Sequence, residues 1–89
     1  MNVILYSKPG CHLCEGMEEK LTAIQNFWPF ELEIRDILTN AEWFERYQYT
    51  IPVVQIGDKI LPPQSPHIQI QQLQRLLVRM KDASEGTTS

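Results

Sequence analysis

An α/β fold is predicted for this 89-residue chain, with elements in the order β-α-β-α-β-β-α and a four-stranded mixed sheet flanked by helices. Three observations predict it. Hydrophobic spacing switches repeatedly between the period of a strand and that of a helix along the chain. Gly and Pro clusters punctuate each switch. Two βα units imply a parallel pair, and a terminal hairpin adds an antiparallel one.

Val3 to Tyr6 is continuously apolar, as suits a central strand buried on both faces. Ser7-Lys8-Pro9-Gly10 breaks it. From Cys11 the period changes: Leu13, Met17, Leu21, Ile24 and Trp28 recur at steps of three and four, one face of a helix that Pro29 ends. Phe30, Leu32 and Ile34 then alternate with Glu31, Glu33 and Arg35, predicting a half-exposed strand near an edge.

Thr39 followed three residues later by Glu42 reads as a capping box. It opens a short helix to about Tyr47, with Trp43, Phe44 and Tyr47 turned inward. Pro52 to Ile56 is the next strand, Gly57-Asp58 a turn, and Lys59 to Leu61 the return strand of a hairpin. Ser65-Pro66 marks another helix start, placing His67 in its first turn as a surface residue. Ile70, Leu73, Leu76, Leu77 and Met80 give this helix its apolar stripe. Arg75, Arg79 and Lys81 gather towards its C-terminus, where the dipole favours positive charge. One domain over 1–81 is expected, with a small, polar, disordered tail at 82–89.

Composition narrows the function classes. With 43% hydrophobic and 21% charged residues the chain is an ordinary globule, neither disordered nor fibrous. A net charge of −3 argues against a nucleic-acid binder that relies on a basic surface. No apolar run approaches the ~18 residues of a membrane span. Lys8 follows the first apolar run instead of preceding it, which is not the order of a secretory leader, so a cytoplasmic location is expected. The charge is unevenly spread: residues 1–58 carry a net −5 and residues 59–89 a net +2. Helix-end placement accounts for most of this.

Cys11 and Cys14, three apart, are the informative pair. A disulfide across so short a loop constrains the unfolded chain little. A zinc site needs about four ligands, and only His12 and His67 remain to complete one, so no metal is expected. A reversible dithiol/disulfide is left. At the junction of a central strand and a helix, unsatisfied N–H groups and the helix dipole favour a thiolate. Cysteines so placed titrate at ~3.5–7.5 instead of ~8.5. Helical phase puts Cys14 beside the Leu13/Met17 face, half buried, and Cys11 at the open end. Cys11 is therefore the expected nucleophile and Cys14 the resolving thiol.

Lys8, three residues before Cys11, is either a solvated charge or a contact for the thiolate or an anionic substrate. His12, if protonated, stabilises a thiolate; otherwise it is a surface residue. Glu15, Glu18 and Glu19 act in the opposite sense. Pro52 is a strand-entry proline, or, if the bond is cis, a fixture holding the Ile51 backbone beside the dithiol for an extended substrate.

Tyr6-Ser7-Lys8-Pro9-Gly10-Cys11-His12-Leu13-Cys14, with Arg46-Tyr47 and Thr50-Ile51-Pro52-Val53-Val54 downstream, resembles the glutaredoxin family of the thioredoxin-like fold. The likeness is greatest to short glutaredoxin-like proteins whose active site reads Cys-His-Leu-Cys, and it covers residues 2 to about 81. It implies a thiol–disulfide oxidoreductase with Cys11 as nucleophile, Cys14 as resolver, Pro52 as a cis-proline and Lys8 as a glutathione contact. It implies no tightly bound cofactor. Its substrates would be disulfide-containing proteins or low-molecular-weight thiols, and glutathione or a thioredoxin system would be the reductant of a monomeric protein. Two departures stand out: His12-Leu13 replaces the family's Pro-Tyr, and Pro62-Pro63-Gln64-Ser65-Pro66 replaces the Gly-Gly and aspartate that grip the γ-glutamyl end of glutathione. The alternative reading on the same fold is a non-catalytic redox-sensing or iron–sulfur-binding module, which would need thiols from a second chain or from solution.

Overall fold

A computed structural model describes residues 1–86. Its strands are β1 (Asn2–Ser7), β2 (Glu31–Asp36), β3 (Val53–Ile56) and β4 (Lys59–Ile60); its helices are α1 (His12–Gln25), α2 (Ala41–Tyr47) and α3 (Ile70–Gly86), with a 3-10 turn at Ile37–Thr39. The strands form one mixed sheet in the order β2-β1-β3-β4. β1 runs parallel to β2, with Val3 opposite Leu32, and antiparallel to β3, with Leu5 opposite Val54. β3 and β4 close the hairpin, turning at Gly57, whose φ of 59° is the left-handed region that glycine enters without steric cost.

The continuous apolar run of β1 is explained by its place inside the sheet, where Val3 through Ser7 are all buried. On one face Val3, Leu5, Val54 and Ile56 pack against Met17, Leu21 and Ile24 of α1 and Leu73 and Leu77 of α3. Each fully buried Leu or Ile there contributes about 1.5–3 kcal/mol. On the other face Ile4, Tyr6 and Val53 meet Ile37 and, from α2 and the segment after it, Trp43, Tyr47 and Ile51. The edge strand β2 carries the alternating residues and stays largely exposed on its outer side.

Several local expectations are corrected. The buried stripe of α1 is Cys14, Met17, Leu21 and Ile24; Leu13 is 55% exposed. Leu13 and Cys14 stand four and three residues before Met17, so both fit the helical period, and packing against the sheet selects the smaller cysteine. The helix ends at Gln25 because Asn26 turns its N–H to the Ala23 carbonyl, tightening the last turn ahead of Pro29. Thr39 does not cap α2. Its Oγ1 donates to the Asp36 carbonyl within the 3-10 turn, while the extended Asn40 accepts from the N–H groups of Glu42 and Trp43. Phe44 faces solvent at 40% exposure.

The last helix begins at Ile70 and not at Ser65. Ser65 instead closes an isolated turn, its Oγ accepting from the His67 N–H and its carbonyl from the Ile68 N–H. Gln72 reaches back to the Gln69 N–H, half of a capping box. At the other end, helix continues through 82–86, which were expected in a disordered tail; the remaining tail residues, 87–89, lie outside the described residues.

Candidate functional site

β1 delivers the chain to the top of the sheet, and the link to α1 is only four residues long. Gly10, at φ 76°, makes the reversal possible; open space surrounds it, so backbone conformation and not crowding requires glycine. Cys11 follows in an extended conformation, φ −94° and ψ 105°, as the N-cap of α1. Its sulfur replaces the usual cap oxygen: the Cys14 N–H donates to Cys11 Sγ at 3.2 Å. The Cys11 carbonyl meanwhile accepts the first helical bond, from the Glu15 N–H at 3.0 Å. An N–H aimed at sulfur, together with the positive end of the helix dipole, stabilises a thiolate there over a thiol.

Cys11 and Cys14 are joined as a disulfide, their Cα atoms 5.2 Å apart. Cys14 is 3% exposed, more deeply placed than the half-burial expected, whereas Cys11 is only half-buried. An incoming molecule therefore meets Cys11 first. The asymmetry follows from helical phase, since Cys14 lies on the packed stripe and Cys11 at the open end.

The other candidate residues are distributed around this pair. Lys8 is exposed in the same turn and makes no hydrogen bond or ion pair among the described residues. His12 points outward, 96% exposed, with Nδ1 3.6 Å from the Glu15 carboxylate, so its nearest charged neighbour competes with any influence on sulfur. The Ile51–Pro52 bond is cis, and Pro52 lines a small cavity of about 140 Å³ with His12, Leu13, Gly16 and Met17, which brings it to the start of α1. The Ile51 N–H is already given to the Tyr47 carbonyl at 3.1 Å. Of the Ile51 backbone expected to pair with an extended substrate, the N–H is thus committed to the fold.

Beside this cavity lies a second one of about 210 Å³, mostly apolar, with Arg46, Tyr47, Thr50 and Gln64 among its walls. Met17, Pro52 and Gln64 border both. Gln64 was not singled out as a site residue from sequence because it sits in a proline-rich stretch with no motif; only the fold carries it to Pro52. The support beneath the cis-proline is aromatic. Tyr6 packs against Tyr47 at 4.3 Å and edge-on to Trp43 at 5.9 Å, and its hydroxyl donates to Gln55 and accepts from Arg35. Arg35 lies 5.0 Å from the Trp43 ring, and its guanidinium pKa is raised chiefly by the bond to Glu33.

Among the described residues, no group of three or more His, Cys, Asp and Glu side chains is placed to hold a metal ion. No helix among them is long and apolar enough to cross a membrane.

Comparison with known proteins agrees with this geometry. A glutaredoxin-like protein of Dictyostelium discoideum is 30% identical over 67 residues, 68% of this chain; the chain spans 62% of that relative's length. Thioredoxin 1 of Thermosipho africanus superposes with a TM-score of 0.64 at 20% identity, over 96% of this chain and 99% of that one. The glutaredoxin-like NrdH-redoxin of Escherichia coli superposes with a TM-score of 0.55 at 23% identity, over 82% of this chain and 95% of that one. These likenesses establish the thioredoxin-like fold. The profile of the glutaredoxin-like domain (DUF836) matches residues 2–78, nearly the whole described chain, and this protein therefore belongs to the glutaredoxin-like family.

Proposed function

We propose that this protein is a thiol–disulfide oxidoreductase that cycles Cys11 and Cys14 between dithiol and disulfide. The carrying observation is that Cys11 Sγ caps α1 and receives the Cys14 N–H at 3.2 Å while remaining partly exposed above a buried partner sulfur. In the reduced protein the Cys11 thiolate attacks one sulfur of a substrate disulfide. A mixed disulfide forms and the other substrate sulfur leaves as a thiolate. Cys14, once deprotonated, attacks Cys11 Sγ, breaks the mixed disulfide and releases the second substrate thiolate. The Cys11–Cys14 disulfide remains, and two electrons and two protons from an external thiol reductant restore the dithiol.

Substrate reaches Cys11 along the surface bordered by Pro52, where the smaller cavity meets the first turn of α1. Lys8 and His12, both exposed near Cys11, serve as contacts for the entering group instead of parts of the thiol chemistry. No acidic residue occurs between Asp58 and Asp82, so that segment offers no carboxylate to grip the amine of glutathione. This favours a protein disulfide as substrate and a thioredoxin-type system as reductant, in a monomeric protein of the reducing cytoplasm. The Escherichia coli relative is likewise described as glutaredoxin-like with a thioredoxin-like activity profile.

Two coupled assays test the reading, one driven by NADPH and thioredoxin reductase, the other by glutathione and glutathione reductase. Turnover of a protein disulfide in the first, abolished by Cys11→Ser, is the expected result. Absence of turnover in both would overturn it.

A further inference from the structure

One groove beside α3 does not contain the dithiol. It has a volume of about 500 Å³ and runs between α3 and the turn at residues 64–68, floored by Ile68 and Leu76 and rimmed by His67, Gln72, Arg75 and Arg79. No carboxylate lines it. Its arginines also differ from the other two in the chain. Arg35 pairs with Glu33 and Arg46 with Glu42, but Arg75 and Arg79 make no ion pair or hydrogen bond among the described residues. Two exposed guanidinium groups one helical turn apart, without an ion pair among the described residues, place positive charge over an open trough.

The groove adjoins the cavities beside Pro52 through one shared wall residue. Gln64 lines it and also both cavities beside Pro52. The 64–68 turn is tied to α1 by Lys20, whose Nζ donates to the Pro66 carbonyl at 2.6 Å. The outer face of α1 has the opposite sign, with Glu15, Glu18 and Glu19 clustered around a shallow depression. A molecule approaching Cys11 thus meets positive charge towards α3 and negative charge along α1.

We infer that the α3 groove docks an acidic, extended segment of the protein whose disulfide is reduced. This rests on the thiol–disulfide reading above and names the substrate class that reading leaves open. The open shape suits a passing chain better than an enclosed small ligand. Residues four apart on a helix present Cβ atoms about 5–6 Å apart. Alternate side chains of an extended chain are about 6.6 Å apart. Two carboxylates at alternate positions therefore reach Arg75 and Arg79 together, each able to accept a two-bond guanidinium contact. The apolar floor takes the backbone and small side chains between them, and the acidic face of α1 rejects the reversed approach.

Two measurements on the whole chain test this separately from the catalytic reading. In the first, reduced protein is titrated by NMR with a short cysteine-free peptide carrying glutamate at alternate positions. Parallel titrations use its lysine counterpart and inorganic phosphate. Shifts confined to Gln64, His67, Gln72, Arg75 and Arg79 with the glutamate peptide alone are expected. Shifts elsewhere, none at all, or the same shifts with phosphate would overturn the proposal. In the second, peptide disulfides with glutamate or lysine flanks are compared with neutral hydroxyethyl disulfide as substrates. The glutamate-flanked disulfide is expected to react roughly tenfold faster than the lysine-flanked one at low salt, a preference lost at about 1 M salt where the Debye length is about 3 Å. Arg75→Gln with Arg79→Gln should erase that preference and leave the neutral disulfide unaffected. A preference that survives the double substitution would sink the docking claim, whereas inactivity towards every disulfide would sink the catalytic one and leave the titration to decide the groove.

Discussion

Replacing Asn40 by alanine removes a single oxygen that accepts from two backbone donors, the Glu42 N–H at 3.0 Å and the Trp43 N–H at 3.1 Å. Both belong to the first turn of α2, where no carbonyl of the helix can replace them. Loss of such a cap costs about 1 kcal/mol, within a range of about 0.5–2. Because one oxygen serves two donors here, the upper half of that range is expected. For a domain of this size each kcal/mol displaces the melting temperature by about 4–8 °C. Thermal and urea melts of Asn40→Ala should therefore show a fall of at least that size. Asn40→Asp keeps the acceptor, adds a charge the dipole favours, and should melt within a few degrees of the parent. Thr39→Ala is the decisive control, since Thr39 Oγ1 bonds only the Asp36 carbonyl on the surface. If Thr39→Ala proved the costlier of the two, the assigned cap would be wrong. The link to function is indirect: α2 ends at Tyr47, whose carbonyl holds the Ile51 N–H. A loss of this size is a fraction of a typical 5–15 kcal/mol stability, so activity at 25 °C should persist.

Three further predictions concern the site and the core. Cys11→Ser should abolish disulfide reduction, whereas Cys14→Ser should still attack and accumulate as a mixed disulfide visible by mass spectrometry, because only resolution is lost. In the reduced protein, alkylation of Cys11 should reach half its maximal rate at a pH below the ordinary thiol value of about 8.5, since the cap N–H and helix terminus favour the charged form; a midpoint at that ordinary value would remove the activated-nucleophile argument. Leu21→Ala, at a fully buried position, should lower stability by about 3–4 kcal/mol, while Leu13→Ala, at a 55% exposed one, should stay within about 0.5 kcal/mol in a urea melt.

The strength of the local signals decided what could be read in advance. Val3–Tyr6 and the alternation at 30–35 each impose one period with little competition, and both strands appear where expected. The pair Cys11 and Cys14 is separated by a single helical turn, so its position at the strand–helix junction follows from local spacing. Where two local solutions are near-equal in energy, local sequence does not choose between them. Thr39 and Asn40 are both competent caps, and the choice between them turns on which residue the preceding 3-10 turn consumes. Ser65-Pro66 is a competent helix start, yet its oxygens are satisfied by its own turn while Lys20, far away in sequence, holds the Pro66 carbonyl.

The amino-acid order by itself determined the element sequence, the close cysteine pair and the relative exposure of its two sulfurs, because each depends on residues within a turn or a strand of one another. The tertiary structure decided the rest: that Pro52 and Gln64 share a cavity with His12 and Leu13 of the first turn of α1, that Cys14 displaces Leu13 from the packed stripe, and that Arg75 and Arg79, unpaired among the described residues, line a groove that shares Gln64 with that cavity. Those relations join residues tens of positions apart, and they are set by how the sheet and helices share buried surface, a balance that no local window of the chain contains.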